Sequence, residues 1–136
     1  MRRATAYHFW IKDLAKGEYV AGVDINNPTH VKIGERKFSR VDLVGKVVEK
    51  SETPQSQYSF ITIEDKTGKI RVRIFEDDSA MVKDIGQGNL VRVIGRIRQD
   101  ERERFVIGEI IKKIDDANYE LLREKELGNS QEDISF

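Results

Sequence analysis

The feature that most constrains this chain is a period-two alternation of apolar and polar residues, which begins near Arg40 and continues to Lys113. Such alternation is typical of strands that have one face in a core and the other in water. The predicted strands are, in chain order, Val41–Lys50, Tyr58–Glu64, Lys69–Phe75, Leu90–Arg98 and Phe105–Lys113. The middle of the chain is therefore predicted to be all-β.

The connections between these strands indicate how the strands are arranged. Asp65–Gly68 predicts a tight hairpin turn, in which Gly68 would supply a positive φ. A short helix is predicted over Asp78–Asp84, between the third and fourth strands. Gly45 and Gly95, inside the first and fourth strands, indicate a bulge or bend in each. Five strands with a helix in this place are the order of an OB (oligonucleotide/oligosaccharide-binding) fold barrel.

The segments on either side of the barrel do not follow the alternation. We predict an N-terminal arm that packs on the barrel (1–38), an OB-fold domain (39–114), a C-terminal α-helix (115–128) and a flexible tail (129–136). In the arm, Trp10 is interpreted as an anchor on the barrel, the alternative being a partner pocket. In the helix, a narrow apolar stripe is formed by Ala117, Leu121 and Leu122.

Composition and motifs narrow the chemistry that is open to the chain. There is no cysteine, which excludes disulfides, thiolate metal sites and cysteine nucleophiles. His8 and His30 are the only histidines and stand in no metal-binding motif, so we expect no metal and no other cofactor. Without a phosphate-binding glycine loop or a Ser/His/Asp set, we expect no enzyme. No apolar run would span a membrane or form a signal peptide, and we expect a cytoplasmic protein.

Charge is unevenly distributed along the chain, although its formal net value is +0. Residues 36–75 contain nine basic and five acidic residues, a net of +4, whereas residues 115–136 contain two basic and seven acidic residues, a net of −5. Phosphate neutralisation requires a local excess of Lys and Arg. The barrel is therefore the part of the chain that suits nucleic acid.

The second and third strands carry the candidate binding surface. Alternation places Arg71, Arg73 and Phe75 on one outer face of the third strand. Tyr58 and Phe60 of the second strand are predicted to lie on the adjoining outer face. Guanidinium groups neutralise phosphates and aromatic rings stack on bases, so this surface suits single-stranded nucleic acid. The alternative is that the rings cover the barrel beneath the arm and that the arginines are solvated.

Three more arginines, Arg92, Arg96 and Arg98, alternate along the fourth strand. They suit a groove for a phosphodiester backbone. The loop that follows, Gln99–Arg104, interleaves acidic with basic residues. A self-compensated surface is therefore the alternative to a binding edge there.

The runs Ser39–Lys50, Phe60–Phe75, Val91–Ile97 and Ile114–Leu122 resemble the archaeal replication protein A family, and within it the subunit equivalent to the eukaryotic middle subunit. Together with the aromatic arm near Phe9, the resemblance covers most of the chain. It implies a subunit of a heterotrimeric complex that binds single-stranded DNA in replication, repair and recombination, in a cytoplasmic, nucleoid-associated location.

The resemblance also implies roles for particular parts of the chain. The helix after the barrel would pack with helices of the large and small subunits through Ala117, Leu121 and Leu122. Phe75 matches an aromatic residue that stacks on DNA, whereas Gln99–Arg104 lacks the second stacking aromatic of the family. The chain would then contact DNA itself or mainly organise the complex. Because the fold alone does not specify a ligand, a stand-alone RNA- or anticodon-binding OB module is the alternative.

Overall fold

The computed structural model of the protein describes residues 6–24, 28–51 and 58–114. Their elements are, in chain order, β1 (Tyr7–His8), α1 (Ile11–Lys16), β2 (Glu18–Val20), β3 (His30–Ile33), β4 (Arg36–Phe38), β5 (Arg40–Ser51), β6 (Tyr58–Asp65), β7 (Gly68–Phe75), a 3₁₀-helix (Glu76–Val82), β8 (Leu90–Gln99) and β9 (Arg104–Lys113). The five long strands are those that the alternation predicts, and each end lies within one residue of the predicted position.

Strands β5 to β9 close into a barrel. Antiparallel pairing joins β5 to β6, β6 to β7 and β9 to β8, while β7 and β9 pair in parallel. The first half of β5 also pairs with β8, which completes the circle. The predicted all-β, five-stranded OB barrel is confirmed.

The barrel is filled by aliphatic side chains from alternate strand positions. These buried residues are Val41, Leu43, Val47, Ile61, Ile63, Ile70, Val72, Ile74, Val91, Val93, Ile97, Val106 and Ile111. Burying one such side chain contributes about 1.5–3 kcal/mol. A register slip of one residue would turn a whole strand's set into water, so the alternation that predicts the strands also fixes their pairing.

Two strand glycines allow neighbouring backbones to approach closely. A Cβ built on Gly95 would overlap the carbonyl oxygen of Ile107, and one on Gly45 would lie 3.0 Å from that of Glu64. The register of β8 against β9 shifts at Gly95, where a bulge is predicted. In β5 the register shift comes after Val47, so Gly45, where a bulge or bend is predicted, is not the site of a bulge. Gly45 instead allows the backbone of β5 to lie close to that of Glu64 in β6.

The turn between β6 and β7 is closed by a side chain. Oδ1 of Asp65 accepts hydrogen bonds from the backbone N–H and the hydroxyl of Thr67, at 2.7 and 2.6 Å, and from the backbone N–H of Gly68 at 3.1 Å. The positive φ predicted for Gly68 is wrong, since among the described residues only Gly34 and Gly88 have one. A carboxylate that binds the amides ahead of it closes the turn without left-handed backbone.

The predicted helix between β7 and β8 is present with different bounds and a different type. It is a 3₁₀-helix that begins at Glu76, before the predicted start, and no side chain caps its N-terminus. The Nζ of Lys50 donates hydrogen bonds to the carbonyl oxygens of Val82 and Ile85, both at 2.8 Å, and so ties the segment to the barrel. The C-terminal helix and tail predicted for 115–128 and 129–136 lie outside the described residues.

The segment before the barrel contacts it in several places. Strand β1 pairs in parallel with β5, while β2, β3 and β4 form a separate antiparallel sheet that the sequence pattern did not predict. Ile11 and Leu14 of α1 are buried, and the backbone N–H of Ile11 donates to Oδ2 of Asp65 at 2.9 Å. Trp10 is half-buried, with the Nζ of Lys66 4.8 Å from its ring centroid, which favours the anchor over the partner pocket.

Arg104, at the start of β9, holds the other end of α1. Its Nη1 donates hydrogen bonds to the carbonyl oxygens of Leu14 and Gly17, at 2.5 and 2.6 Å. The last carbonyls of a helix have no partner within the helix, so this guanidinium binds backbone oxygens that the helix leaves unsatisfied. Burial lowers the pKa of Arg104 from its ordinary value, but an arginine keeps its charge in proteins.

Candidate nucleic-acid interface

The pairing of β6 with β7 builds the candidate surface. In this register Tyr58 lies opposite Phe75, and Phe60 lies opposite Arg73. Arg71 is on the same face of β7, two positions before Arg73. The structure thus brings together the five residues that alternation assigns to one outer face, although the side chain of Tyr58 lies outside what is described.

Phe75 is an exposed aromatic ring of this surface. It ends β7 directly before the 3₁₀-helix, and 47% of it is exposed to solvent. The residues that alternate with it in β7, Ile74 and Val72, are fully buried. An aromatic side chain left in water at the end of a barrel strand is available for stacking on an unpaired base.

Arg73 is stacked on a second ring that sequence reasoning missed. Its Cζ lies 3.6 Å from the ring centroid of Phe105, the second residue of β9. The parallel pairing of β7 with β9 sets Arg71 opposite Phe105, which puts that ring on the outer face. The alternation of β9 could have predicted this position, because Val106 faces the core and Phe105, the residue before it, must then face outward.

Arg71 repeats the arrangement on the other side of β7. Its Cζ lies 4.0 Å from the ring centroid of Phe60. A guanidinium over an aromatic face gains about 0.5–1 kcal/mol when exposed and about 2 when desolvated. We call the four residues Phe60, Arg71, Arg73 and Phe105 the guanidinium–ring platform.

Carboxylates hold both guanidiniums of the platform at their edges. Nη2 of Arg73 donates a hydrogen bond to Oδ2 of Asp100 at 2.7 Å, and Nη1 of Arg71 donates to Oε1 of Glu103 at 2.9 Å. A second carboxylate, that of Glu49, lies 3.9 Å from Nη2 of Arg71. Asp100 and Glu103 belong to the β8–β9 loop (residues 100–103). The acidic residues of this loop thus pair with nearby arginines, as the alternative of a self-compensated surface predicts.

The loop is organised around Asp100. Its Oδ1 accepts hydrogen bonds from the backbone N–H groups of Arg102 and Glu103, both at 2.9 Å. The hydrogen bond from Arg73, followed by these two backbone donors, lowers the pKa of Asp100 from 3.8 to about 2. The carboxylate therefore stays ionised at any pH at which the protein would work, and its charge opposes that of Arg73.

The three arginines of β8 lie in different surroundings. Arg98 pairs in register with Phe105 and Arg96 with Ile107, so both lie on the outer face next to the platform. Nε of Arg96 is 3.7 Å from Oε2 of Glu109. Nη1 of Arg98 donates a hydrogen bond to the carbonyl oxygen preceding it in the chain, at 2.7 Å, and within the described ranges no carboxylate pairs with it.

Arg92 is engaged by a buried carboxylate. Its Nε and Nη2 donate to Oδ1 and Oδ2 of Asp42 at 3.0 and 2.6 Å, and Asp42 is 2% exposed. Nδ1 of His8 lies 3.4 Å from the same carboxylate. Both oxygens of Asp42 are thus bound by one guanidinium fork, the strong bidentate geometry. A binding role for Arg92 remains a prediction, and the function proposed below does not depend on it.

Two further results concern only the described part of the chain. Within residues 6–24, 28–51 and 58–114, no group of three or more His, Asp or Glu side chains is placed to hold a metal ion. No helix in these ranges has the length and apolar character needed to cross a membrane. The predicted assembly residues Ala117, Leu121 and Leu122 lie outside these ranges.

A closed five-stranded barrel with an aromatic and basic outer face defines the class of protein as an OB-fold domain. A family model described as an OB-fold nucleic acid binding domain matches residues 41–121, which is more than half of the chain. The chain belongs to this family of nucleic-acid-binding OB domains. A comparison with curated proteins returned no match.

Solved structures share the fold over nearly the whole chain. The Stn1–Ten1 complex of S. pombe contains a chain of 18% identity with a TM-score of 0.81, and the match covers 97% of this chain and 95% of that one. A replication protein A heterotrimer bound to single-stranded DNA gives 18% identity and a TM-score of 0.79, with 98% and 100% covered. Yeast replication protein A bound to single-stranded DNA gives 24% and 0.69, with 96% and 92% covered. At these identities the likeness shows the fold.

Proposed function

We propose that this chain is a non-enzymatic subunit of a replication protein A-like complex, and that it binds single-stranded DNA on the outer face of β6, β7 and β9. The observation that carries the proposal is an exposed ring, Phe75, on the same barrel face as two guanidiniums. In OB domains this face, formed by the second and third barrel strands, is the one that binds oligonucleotides. Family membership supports nucleic acid as the ligand.

Single strands suit this surface better than duplexes do. A base can stack on a protein ring only when its own face is exposed, as in an unpaired strand. The formal net charge of +0 gives the chain no bulk attraction for phosphate, so contact with bases has to supply much of the affinity. One exposed ring contributes about 1–3 kcal/mol by stacking. Binding by the isolated chain is therefore weak, and an assembly of several OB domains binds far more tightly.

Assembly is the second part of the proposal. The apolar stripe formed by Ala117, Leu121 and Leu122 is suited to pack against helices of partner subunits. The solved structures that share the fold come from multi-subunit complexes, namely Stn1–Ten1 and a replication protein A heterotrimer. The proposal includes a middle-subunit position between large and small subunits, a role in replication, repair and recombination, an archaeal origin and a nucleoid-associated location.

The binding part is tested by fluorescence anisotropy with labelled oligo-dT and oligo-U across a salt titration, on the full chain alone and co-expressed with candidate OB partners. Phe75→Ala lowers affinity for oligo-dT by about 5- to 150-fold, the equivalent of one lost stack. Val23→Ala is the matched control, since Val23 is an exposed apolar residue outside the barrel, 81% accessible. If Phe75→Ala matches Val23→Ala in the assembled complex, the stacking role is wrong. Tighter binding of oligo-U would favour the RNA-binding module instead.

The assembly part is tested by co-purification. The double variant Leu121→Asp/Leu122→Asp loses the partner subunits, because charges in an apolar helix interface cost several kcal/mol to bury. Circular dichroism on the isolated variant checks that the barrel still folds. A folded variant that keeps its partners would overturn the assembly role of residues 115–128.

A further inference from the structure

The outer face of the barrel continues from the guanidinium–ring platform to the arginines of β8. Residues that pair in register across neighbouring strands lie on the same face of a sheet. Two such rows, each running from β7 over β9 to β8, are Arg71, Phe105 and Arg98, and Arg73, Ile107 and Arg96. Neighbouring strands lie about 4.8 Å apart, so the backbones of β7 and β8 are about 10 Å apart.

The β7 end of these rows carries arginines whose charge is matched by carboxylates. Glu103 accepts a hydrogen bond from Arg71 at 2.9 Å, and the carboxylate of Glu49 lies 3.9 Å from Nη2 of Arg71. Asp100 accepts a hydrogen bond from Arg73 at 2.7 Å. A phosphate that approached either guanidinium would meet carboxylates of like charge, which repel it.

The β8 end keeps more positive than negative charge. In the described part of the chain no carboxylate pairs with Arg98, whose Nη1 donates a hydrogen bond to the carbonyl oxygen of Ile97 at 2.7 Å. The side chain of Arg96 is 44% exposed, and its Nε is 3.7 Å from the carboxylate of Glu109. This carboxylate also accepts a hydrogen bond from Nε of Arg40 at 3.0 Å, so two guanidiniums share it. Arg96 and Arg98 therefore keep charge that a phosphate can neutralise.

Phosphate suits this end in geometry as well as in charge. A guanidinium presents its N–H donors as a planar fork that matches two oxygens of a phosphate. The N–H groups of Arg98 that do not bind the carbonyl of Ile97 meet no acceptor within the described ranges, and they are not buried. They therefore face solvent, where a phosphate can reach them.

We propose that Arg96 and Arg98 bind the phosphodiester backbone of a bound single strand, and that Arg71 and Arg73 do not bind phosphate. The backbone follows β8, and bases reach the β7 side, where Phe75 is exposed. The inference rests on the proposed function: it extends the binding surface from β9 to β8 and assigns a different ligand group to each side. A phosphodiester is common to DNA and RNA, so the test uses both.

The salt dependence of binding tests this division. For a single strand, each phosphate that the protein neutralises contributes about 0.7 to the slope of log K against log salt. We measure the slope by anisotropy in the co-expressed complex, with oligo-dT and with oligo-U. With either strand it becomes shallower by about 0.7 in Arg98→Gln and by about 1.4 in Arg96→Gln/Arg98→Gln. In Arg96→Lys/Arg98→Lys it stays that of the wild type, because lysine also neutralises phosphate.

Two matched variants keep the β8 result from being a general effect of charge. Arg71→Gln/Glu103→Gln removes a guanidinium together with its carboxylate partner, so the net charge is kept and the slope stays that of the wild type. A slope shallower by about 0.7 in this variant would mean that Arg71 binds phosphate, and it overturns the division. Arg102→Gln removes an exposed arginine of the β8–β9 loop that belongs to neither row, and it leaves the slope unchanged.

An abasic strand of the same length separates phosphate from base. Arg96→Gln/Arg98→Gln lowers the affinity for oligo-dT and for the abasic strand by the same factor, because both strands have the same phosphates. Phe75→Ala lowers only the affinity for oligo-dT, since the abasic strand has no base to stack. A loss limited to oligo-dT in the β8 variant would mean that these arginines contact bases, and it overturns the inference.

Failure of the inference can be told apart from failure of the proposed function. If Phe75→Ala weakens binding of oligo-dT but Arg96→Gln/Arg98→Gln keeps the wild-type slope, only the inference is overturned. Loss of the co-expressed partners from the β8 variant, with an unchanged slope, would assign these arginines to protein and overturns it as well. If the wild-type complex binds neither oligo-dT nor oligo-U, the proposed function falls first. Thermal melts check that each variant is folded.

Discussion

The ion pair between Arg92 and Asp42 gives Arg92 a structural role, whereas the sequence alone predicts a role in binding for the same residue. Alternation along β8 offers Arg92 as a phosphate-binding residue, whereas the structure engages it with a carboxylate that is 2% exposed. In Arg92→Gln this carboxylate would remain buried without its guanidinium. Breaking a buried ion pair by removing one partner costs about 3–5 kcal/mol. Arg92 is itself 39% exposed, so water relieves part of that cost.

We therefore expect Arg92→Gln to lower the free energy of unfolding by about 2–3 kcal/mol. For a domain of this size that corresponds to a fall in Tm of roughly 5–15 °C. Urea unfolding followed by circular dichroism measures the change. The double variant Asp42→Asn/Arg92→Gln regains part of the stability, because no buried charge is left without its partner.

The control for this prediction is Arg98→Gln, an arginine of the same strand whose hydrogen bond goes to a backbone carbonyl. It changes the free energy of unfolding by less than about 0.5 kcal/mol, as most surface substitutions do. If Arg92→Gln is as mild as Arg98→Gln, the structural role assigned to Arg92 is refuted. Folded Arg92→Gln binds oligo-dT like the wild type. If Arg92→Gln binds oligo-dT more weakly than the wild type at unchanged stability, Arg92 is part of the binding surface.

Three further predictions concern the turn, the barrel closure and pH. Asp65→Ala lowers the free energy of unfolding by about 2–3 kcal/mol in urea titrations, because its carboxylate accepts four hydrogen bonds from the turn and the arm; Asp65→Asn is destabilised less. Gly95→Ala costs at least about 1–3 kcal/mol, since the added methyl would overlap a backbone carbonyl, whereas Gly86→Ala, with open space around its Cβ position, stays within about 0.5 kcal/mol. The folded-state pKa of Asp100 is lowered to about 2, chiefly by Arg73, so the stabilisation from this carboxylate is present above about pH 4 and is lost as pH falls toward 2. In Asp100→Asn the free energy of unfolding no longer falls through loss of this carboxylate between about pH 4 and pH 2. If the variant and the wild type lose stability equally over that range, the assigned role of Asp100 is wrong.

The barrel could be predicted because its information is local. Each strand shows period-two alternation over seven or more residues, which few other structures allow. The strands β2, β3 and β4 are three or four residues long, too short for alternation to stand out from chance. Their pairing depends on packing against the barrel, so sequence reasoning described only an arm.

The candidate site was partly predictable for the same reason. Alternation gives the face on which a side chain lies, and it assigns Arg71, Arg73 and Phe75 to one surface. It does not give the partner of a side chain, which comes from distant parts of the chain. Asp42 is 50 residues from Arg92, and Asp100 is 27 residues from Arg73. Whether an arginine faces ligand or carboxylate is decided by tertiary structure.

The carboxylate of Asp65 also sets an order of events in the formation of this protein. One of its oxygens closes the β6–β7 turn and the other holds the backbone N–H of Ile11, 54 residues earlier in the chain. The acceptor for the start of α1 is therefore in place only once that turn has formed. A nascent chain that stops before Asp65 can already pair β1 with β5, but it lacks the carboxylate that accepts from Ile11. Protection of the Ile11 amide from hydrogen exchange therefore reports that the hairpin has closed.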